Sequence, residues 1–294
     1  MKTILGTAQF GLDYGISNTT GKLNSHHIEN ILNTAIRLGV NYLDTANVYG
    51  DAEEKLGKFS ELTKQFKLIT KTAHTKENLN IEDNIKFIHE ELLLSLEKMK
   101  RENIDIFLFH NTSDILNESG SDFFNAMLEI KESELCKRIG ASVYSVQELK
   151  RVIDNYSLDV IQLPLNVFNQ NFLKLGILDE LKDREVEIHV RSVFLQGLLL
   201  METGELDDYF DSIKQLHSDY RDTLSINKLS PVQGALNFLK SVDQIDAVIF
   251  GVQDSKQLTE IINSLESNFI DMDYSDFCVD DELITNPSKW ISNR

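Results

Sequence analysis

The sequence predicts a single (β/α)₈ TIM barrel that spans residues 1–294. Short apolar runs alternate with longer amphipathic stretches along nearly the whole chain, which is the pattern of repeated βα units around a parallel sheet. The three prolines are scattered, so no proline-rich linker divides the chain. A chain of 294 residues is within the range of one barrel, and we therefore expect one domain.

The predicted elements follow from the spacing of the apolar residues and from the residues that begin or end helices and strands. We predict strands at residues 3–5, 42–44, 67–71, 104–110, 138–141, 160–163, 187–191 and 247–250. Helices are predicted at residues 25–38, 81–99, 146–155, 172–183 and 255–265, where apolar residues recur at three- and four-residue spacing. Ser230 followed by Pro231 predicts another helix as far as about residue 239, because serine caps helices and proline is tolerated at their first position.

The alternative architecture is a doubly wound open sheet, which shows the same alternation and binds dinucleotides on a glycine-rich first turn. After the first predicted strand the glycines are Gly6, Gly11 and Gly15, and this spacing does not match G-x-G-x-x-G. The barrel is therefore preferred. We expect the long acidic connection 196–229 to cover the mouth of that barrel.

Charge and cysteine content exclude several functional classes. The formal net charge of −18 disfavours nucleic acid and anionic membranes as partners, although local amides and cations can still bind an anionic cofactor. Cys136 and Cys278 lack the spacing of a zinc site or a redox pair, so no metal site is predicted. The amino-terminal residues do not form a signal peptide, and we expect a cytoplasmic enzyme.

Polar residues stand at the predicted strand ends, where barrel enzymes carry their chemistry. They are Asp44, Lys71, His110, Ser142, Gln162 and Arg191. Each alone has an ordinary structural explanation, such as a surface charge, a helix cap or a core histidine. Together they suit carbonyl reduction, in which a proton donor meets the developing alkoxide while hydride reaches the carbon.

Tyr49 is the natural proton donor. A phenol near pKa 10 is a weak acid at neutral pH, so it needs a neighbouring cation such as Lys71 to favour loss of its proton. Asp44 is the available counter-ion for that lysine, and His110 is expected to orient or polarise the carbonyl oxygen.

The stretch GVNYLDTANVYGDAEEKLG at residues 39–57 resembles the signature of the aldo-keto reductase family at every fixed position. The resemblance continues through LITKT, ENIDIFLFHN and RIGASVYS, and it covers nearly the whole chain. It implies that Asp44, Tyr49, Lys71 and His110 form the catalytic tetrad of an NAD(P)H-dependent reductase of an aldehyde, ketone or sugar-derived carbonyl.

The same resemblance implies a cofactor site. Ser142 and Gln162 would hold the nicotinamide carboxamide, with Asn166 nearby. The remaining implied cofactor residues are Gly6 and Thr7 at the first strand end, Arg191, Ser192 and Gly197 after the seventh, and Gly251, Lys256, Gln257 and Glu260 around the last helix.

NADPH is the implied cofactor and NADH is the alternative. Gly251, Val252 and Gln257 stand where many NADPH-specific members have lysine, serine and arginine, which leaves Lys256 to pair with a 2′-phosphate. Arg191 replaces an aromatic residue that stacks on the nicotinamide in many relatives. It could stack similarly, attract a substrate carboxylate or phosphate, or form a structural salt bridge.

Two other functions remain open at this stage. Some members of the resembled family are redox-sensing regulators, so a non-catalytic NADP-binding subunit is one alternative. A lyase in which Lys71 forms a Schiff base with a small-molecule carbonyl is the other. The sequence makes no prediction of oligomeric state.

Overall fold

The computed structural model describes residues 1–16, 18 and 21–290, and its central feature is a closed barrel of eight parallel strands. The strands are β1 Lys2–Gly6, β2 Tyr42–Asp44, β3 Lys67–Lys71, β4 Ile104–Phe109, β5 Cys136–Ser142, β6 Val160–Pro164, β7 Glu187–Arg191 and β8 Ala247–Phe250. Each strand pairs with its neighbours in chain order, and β8 closes onto β1. The predicted (β/α)₈ fold is confirmed.

Helices surround the barrel. They are α1 Ala8–Gly11, α2 Ser25–Arg37, α3 Ala52–Lys58, α4 Ser60–Thr63, α5 Ile81–Met99, α6 Gly120–Glu132, α7 Val146–Asn155, α8 Asn171–Lys174, α9 Ile177–Asp183, α10 Lys214–Ile226, α11 Pro231–Lys240, α12 Ser255–Glu266 and α13 Glu282–Thr285. The Ser230 side chain accepts a hydrogen bond from the Gln233 amide at the start of α11, and the Gln233 side chain accepts one from the Ser230 amide. The serine–proline pair had indicated this helix start. No helix in the described ranges is long and apolar enough to cross a membrane.

Two apolar layers hold the barrel together. The strands' inward side chains form a small interior cluster that includes Ile4, Ile69, Ile106, Val160 and Ile249. Their outward side chains pack under the helices in a much larger cluster. Burial on both faces explains why the strands read as short continuous apolar runs rather than as alternating ones.

Polar groups close the amino-terminal end of the barrel. Glu187 at the start of β7 forms ion pairs with Lys2 at 3.0 Å and with Arg138 at 2.6 Å, and it bonds the fully buried His189 at 2.7 Å. Arg138 also donates to the Tyr42 hydroxyl at 3.0 Å. These groups pair with one another, except that His189 Nδ1 has no hydrogen-bond partner among the described residues. The predicted site residues lie at the opposite, carboxyl-terminal end.

The structure differs from the predicted elements in several places, and among these the bounds of β1, β5 and β6 differ by only one or two residues. His110 lies one residue beyond β4. The helix predicted at 172–183 is two helices, because Gly176 takes a left-handed backbone conformation with φ of 64° between α8 and α9. The predicted connection 196–229 contains α10, and α6 was not predicted.

A close helix contact generates a stability prediction. A Cβ atom built on Gly57 of α3 would stand 1.8 Å from the backbone oxygen of Lys98 in α5, so the two helices meet only because this position lacks a side chain. Gly57→Ala is expected to lower the free energy of unfolding by about 2 kcal/mol or more, despite the better helix propensity of alanine. Urea unfolding measures this value.

Gly204→Ala is the matched control, because nothing lies within 4 Å of a Cβ built at Gly204. Its unfolding free energy should stay within about 0.5 kcal/mol of the wild type. Equal effects of the two substitutions would contradict the steric explanation.

Candidate active site

Three of the predicted catalytic residues lie at the carboxyl ends of adjacent strands. Asp44 ends β2, Lys71 ends β3 and His110 follows β4. Parallel pairing brings these ends together, and the fourth residue, Tyr49, reaches them from the turn between β2 and α3. The barrel thus gathers four side chains that lie between positions 44 and 110 of the sequence.

The turn that carries Tyr49 packs directly on α1. A Cβ on Gly11 would stand 1.7 Å from the Tyr49 backbone oxygen, and one on Gly50 would stand 2.4 Å from the Gly11 oxygen. Gly50 also has φ of 58°, a conformation that glycine adopts without strain. This contact between two backbones fixes the Tyr49 turn over the barrel mouth.

A buried ion pair forms the base of the site. The Lys71 ammonium lies 2.7 Å from Asp44 Oδ1, and both side chains are at most 5% exposed. The ammonium also donates to the Thr45 backbone oxygen at 2.9 Å and to the Tyr49 hydroxyl at 3.5 Å. All three of its donor hydrogens therefore have an acceptor.

Asp44 is held from the other side as well. Its Oδ2 accepts a hydrogen bond from Gln162 Nε2 at 2.9 Å. Thr7 donates to the Asp44 backbone oxygen through its hydroxyl at 3.0 Å and through its amide at 2.9 Å. Gln162 and Thr7 thus contact the ion pair, which the sequence did not predict for either residue.

Lys71 is held in its charged form. Burial favours the neutral amine, but the Asp44 carboxylate and the Tyr49 hydroxyl outweigh it, and the pKa of Lys71 is raised. A protonated amine with three hydrogen-bond acceptors is a poor nucleophile. The geometry therefore does not favour the Schiff-base lyase.

The Tyr49 phenol is protonated at neutral pH. Burial raises its pKa, and the Lys71 charge works in the opposite direction. The lysine ammonium also lies 5.0 Å from the centre of the tyrosine ring. Tyr49 is thus a protonated donor beside a cation that lowers the cost of releasing the proton.

His110 is neutral in this site. Burial is the first cause, and the nearby charges of Lys71, His74 and Arg191 add to it, so that its pKa is lowered from 6.5 to about 3. The ring meets Tyr49 edge-on at 6.1 Å and stacks on His74 at 5.3 Å. Its Nδ1 is buried and has no hydrogen-bond partner within the described residues.

A cavity of about 470 Å³ opens over these side chains. The predicted residues that line it are Asp44, Tyr49, Lys71, His110, Gly6, Ser142, Gln162, Arg191, Ser192, Gly197, Gly251, Gln257 and Glu260. Three predicted residues do not line it. Thr7 is buried beneath Asp44, Asn166 is buried and donates to the Ser192 backbone oxygen at 3.0 Å, and Lys256 borders a neighbouring cleft.

The segment after β7 forms one wall of the cavity. Ser192, Leu195 and Gln196 have φ near 50–60° in a stretch that ends at Gly197, an unusual run of left-handed residues. The Gln196 side chain donates to the Tyr14 hydroxyl at 3.3 Å, and its backbone oxygen accepts from Ile16 at 3.2 Å. The connection predicted to cover the mouth does contact the loop after β1.

Sequence reasoning missed several residues of the lining. Tyr14, Tyr144 and Gln196 border the cavity, and His74 stacks on His110. Tyr144 and His74 follow predicted site residues by two and three positions, so their place after a strand end was a usable signal. Tyr14 lies in a loop without a periodic pattern and gave none, whereas Gln196 begins the connection 196–229 that we expected to cover the mouth.

The amino terminus of α12 is already capped. The Asp254 side chain accepts from the amides of Lys256 and Gln257, both at 2.8 Å. The Gln257 side chain accepts from the Gln253 amide at 2.9 Å. Two of the amides with which α12 begins are therefore already bonded to a carboxylate and are not free to bind a phosphate.

The model of the aldo/keto reductase family matches residues 2–278 of this chain. The chain belongs to the aldo/keto reductase family. YqkF, an uncharacterised oxidoreductase of Bacillus subtilis (strain 168), is 23% identical to it over 285 residues, which is 90% of each protein. Aldo-keto reductase str7 of Strobilurus tenacellus is 26% identical over 220 residues, 73% of this chain and 61% of that protein.

Solved structures share the fold. Aldo-keto reductase AKR11C1 from Bacillus halodurans, in its holo form, superposes with a TM-score of 0.74 at 18% identity, covering 92% of this chain and 88% of that one. A Pseudomonas aeruginosa protein assigned to the aldo-keto reductases superposes with a TM-score of 0.67 at 18% identity, covering 90% of this chain and 88% of that one. Family membership and the oxidoreductase names of relatives support an oxidoreductase.

Aldo-keto reductases use nicotinamide cofactors, and the cavity of this family member suits one. Gly6, Gly197 and Gly251 line it, and the side chain of Gln9, another lining residue, occupies the space that a Cβ at Gly251 would take. The unpaired His110 Nδ1 and the polar groups of Ser142 and Gln162 border the same space. A long ligand with both polar and apolar parts fits this mixture.

The lowered pKa of His110 predicts a pH dependence of stability. The unfolded chain binds a proton below about pH 6.5, whereas the folded chain does not until about pH 3, so stability is lost as the pH falls through this window. Relative to His110→Asn, the wild type is expected to lose about 2 kcal/mol of unfolding free energy between pH 7 and pH 5. Urea unfolding at both values measures the difference.

His26→Asn changes an exposed histidine of α2 and serves as the control. If the wild type and His110→Asn lost the same unfolding free energy between pH 7 and pH 5, His110 would not be held neutral by the fold.

Proposed function

We propose that this protein is an NAD(P)H-dependent reductase of small-molecule carbonyl compounds, with Tyr49 as the general acid. The observation that carries the proposal is the continuous chain from Asp44 through Lys71 to the Tyr49 hydroxyl, with bonds of 2.7 and 3.5 Å, at the floor of a cavity. This arrangement supplies a proton donor, a cation to assist it and a counter-ion for that cation.

Each side chain has a separate task in this proposal. The bound nicotinamide supplies hydride to the carbonyl carbon. Tyr49 donates its proton to the carbonyl oxygen, and the Lys71 charge stabilises the phenolate that is left. Neutral His110 beside Tyr49 donates a hydrogen bond to the same oxygen and orients it.

The regulatory alternative is less well supported than catalysis. A subunit that only binds the cofactor needs no proton donor, yet the chain keeps the buried ion pair beneath Tyr49. Removing one partner of such a pair typically costs about 3–5 kcal/mol, so stability explains the pair itself. The Tyr49 hydroxyl beside the pair is the group that catalysis accounts for. A complete acid–base set favours an enzyme.

Replacement of the proposed acid tests the function. Tyr49→Phe removes the hydroxyl and leaves the ring, so kcat for aldehyde reduction is expected to fall by about 100-fold or more while cofactor affinity changes little. NAD(P)H absorbance measures turnover, and cofactor fluorescence measures binding. A variant with wild-type kcat would remove Tyr49 from the mechanism.

Tyr209→Phe is the matched control for this experiment. The Tyr209 hydroxyl donates to the Leu283 backbone oxygen, away from the cavity. Tyr209→Phe therefore removes a tyrosine hydroxyl at a position away from the cavity, and the kcat of this variant should remain close to that of the wild type.

We propose NADPH as the cofactor, with NADH as the alternative. Lys256 is exposed and borders a cleft that also contains Arg37 and shares Glu260 with the main cavity. Two cations at this place support recognition of a 2′-phosphate. The Glu260 carboxylate and the Asp254 cap act against it and favour a ribose hydroxyl instead.

Lys256→Ala tests this preference directly. The dissociation constant of NADPH is expected to rise about tenfold, because one charge-assisted contact is lost, while that of NADH should change less than twofold. Fluorescence titration measures both constants, and Lys86→Ala on the exposed face of α5 is the control. Equal losses for the two cofactors would exclude Lys256 from 2′-phosphate binding.

A further inference from the structure

Arg191 brings a positive charge into the cavity without a carboxylate to balance it. Among the residues that the structure describes, no acidic group forms an ion pair with its guanidinium. Its contacts are a hydrogen bond from Nη2 to the Val143 backbone oxygen at 3.0 Å and a weaker one from Nη1 to Ser192 Oγ at 3.4 Å. The structural salt bridge, one of the three expectations for this residue, is not formed there.

The guanidinium is held in place while its donors remain available. It stacks on the Tyr144 ring, with Cζ 4.2 Å from the ring centre. Two of the five N–H donors that a guanidinium carries are engaged, and Nε is buried without a partner in the described part of the chain. A rigid cation with free donors is preorganised for an anion.

The charge acts at the reaction end of the cavity. Arg191 is close enough to contribute to the lowered pKa of His110, after burial, Lys71 and His74. Lys71 is neutralised by Asp44, and His110 is itself neutral, so the guanidinium remains as the unbalanced charge near His110. The other acidic residue of the lining, Glu260, lies on α12.

We propose that Arg191 binds an anionic group of the substrate, and that the preferred substrates are carbonyl compounds that carry a carboxylate or phosphate. The inference rests on the proposed reductase function and names its substrate class. A guanidinium matches the paired oxygens of both anions, and a cavity shielded from water strengthens the contact. Arg191 thus determines specificity, whereas Tyr49 and His110 act on the carbonyl.

Stacking on the nicotinamide is the competing role for Arg191. One face of the guanidinium already lies on Tyr144, which leaves a single face for another ring. The oxidised nicotinamide ring is also cationic, so the two would repel each other in one of the cofactor's two states. An anionic substrate is attracted in both states, and this favours the substrate role.

Matched substrate pairs test the proposal. Oxo acids of four to six carbons with a terminal aldehyde are compared with their methyl esters, and glyceraldehyde 3-phosphate with glyceraldehyde. For the wild type we expect kcat/KM to be about 10- to 100-fold higher for at least one anionic member than for its neutral partner. The two series separate a carboxylate site from a phosphate site.

The variants Arg191→Met and Arg191→Lys identify the residue. Arg191→Met should remove the anionic preference, because kcat/KM should fall about tenfold or more further for the anionic substrates than for their neutral partners. Arg191→Lys should retain part of the preference, because lysine keeps the positive charge but lacks the paired N–H donors of the guanidinium. Lys86→Met, which removes an exposed cation of α5, should keep the wild-type preference.

A binding experiment separates this inference from the proposed reductase function. By calorimetry, the wild type should bind butanoate or inorganic phosphate more tightly than butanamide, and Arg191→Met should lose the difference. If no carbonyl is reduced but this binding is found, the reductase proposal fails and Arg191 is still an anion site. Two results would overturn the inference. One is a wild type with the same kcat/KM for the acids as for their esters. The other is an Arg191→Met variant that loses kcat/KM equally for both and also binds the cofactor more weakly.

Discussion

The buried ion pair between Lys71 and Asp44 is the interaction on which the site depends. Taking two charges out of water costs several kcal/mol for each ion, and the pair is tolerated only when its remaining hydrogen-bonding groups are also satisfied. Here Thr45 and Tyr49 accept from the ammonium, and Gln162 donates to the carboxylate. Strands β2, β3 and β6 supply the ion pair and Gln162, so the closed barrel is a requirement of the site.

The proposed acid lies on a loop, and its precision comes from backbone packing. The Tyr49 turn lies against α1 so closely that neither Gly11 nor Gly50 leaves room for a side chain. A loop held in this way loses little further conformational entropy when a substrate binds, and it keeps the hydroxyl near Lys71. The signature motif at residues 39–57 therefore encodes chemistry and steric fit together, since it includes Asp44, Tyr49, Gly50 and Gly57.

The sequence predicted what depends on period and position, and it missed what depends on three-dimensional proximity. Four of the predicted strands have the same first and last residues as the strands in the structure, because a buried parallel strand is a short apolar run with clear ends. The strand-end rule gathered Asp44, Lys71, His110 and Arg191 around one cavity. The bond from Gln162 to Asp44 joins residues 118 positions apart, and the stacking of Arg191 on Tyr144 joins the ends of β7 and β5, which β6 separates in the barrel. Neither leaves a periodic trace in the chain.

The cavity also shows why net charge is a poor guide to a ligand. The chain carries a formal charge of −18, which repels extended polyanions over distances comparable with the Debye length of about 8 Å. Inside the cavity the relevant charges are few and close, and water screens them less. Asp44 is neutralised by Lys71, so the unbalanced Arg191 sets the sign of the local potential. A surface charge that disfavours polyanions is therefore compatible with the small-anion site proposed at Arg191.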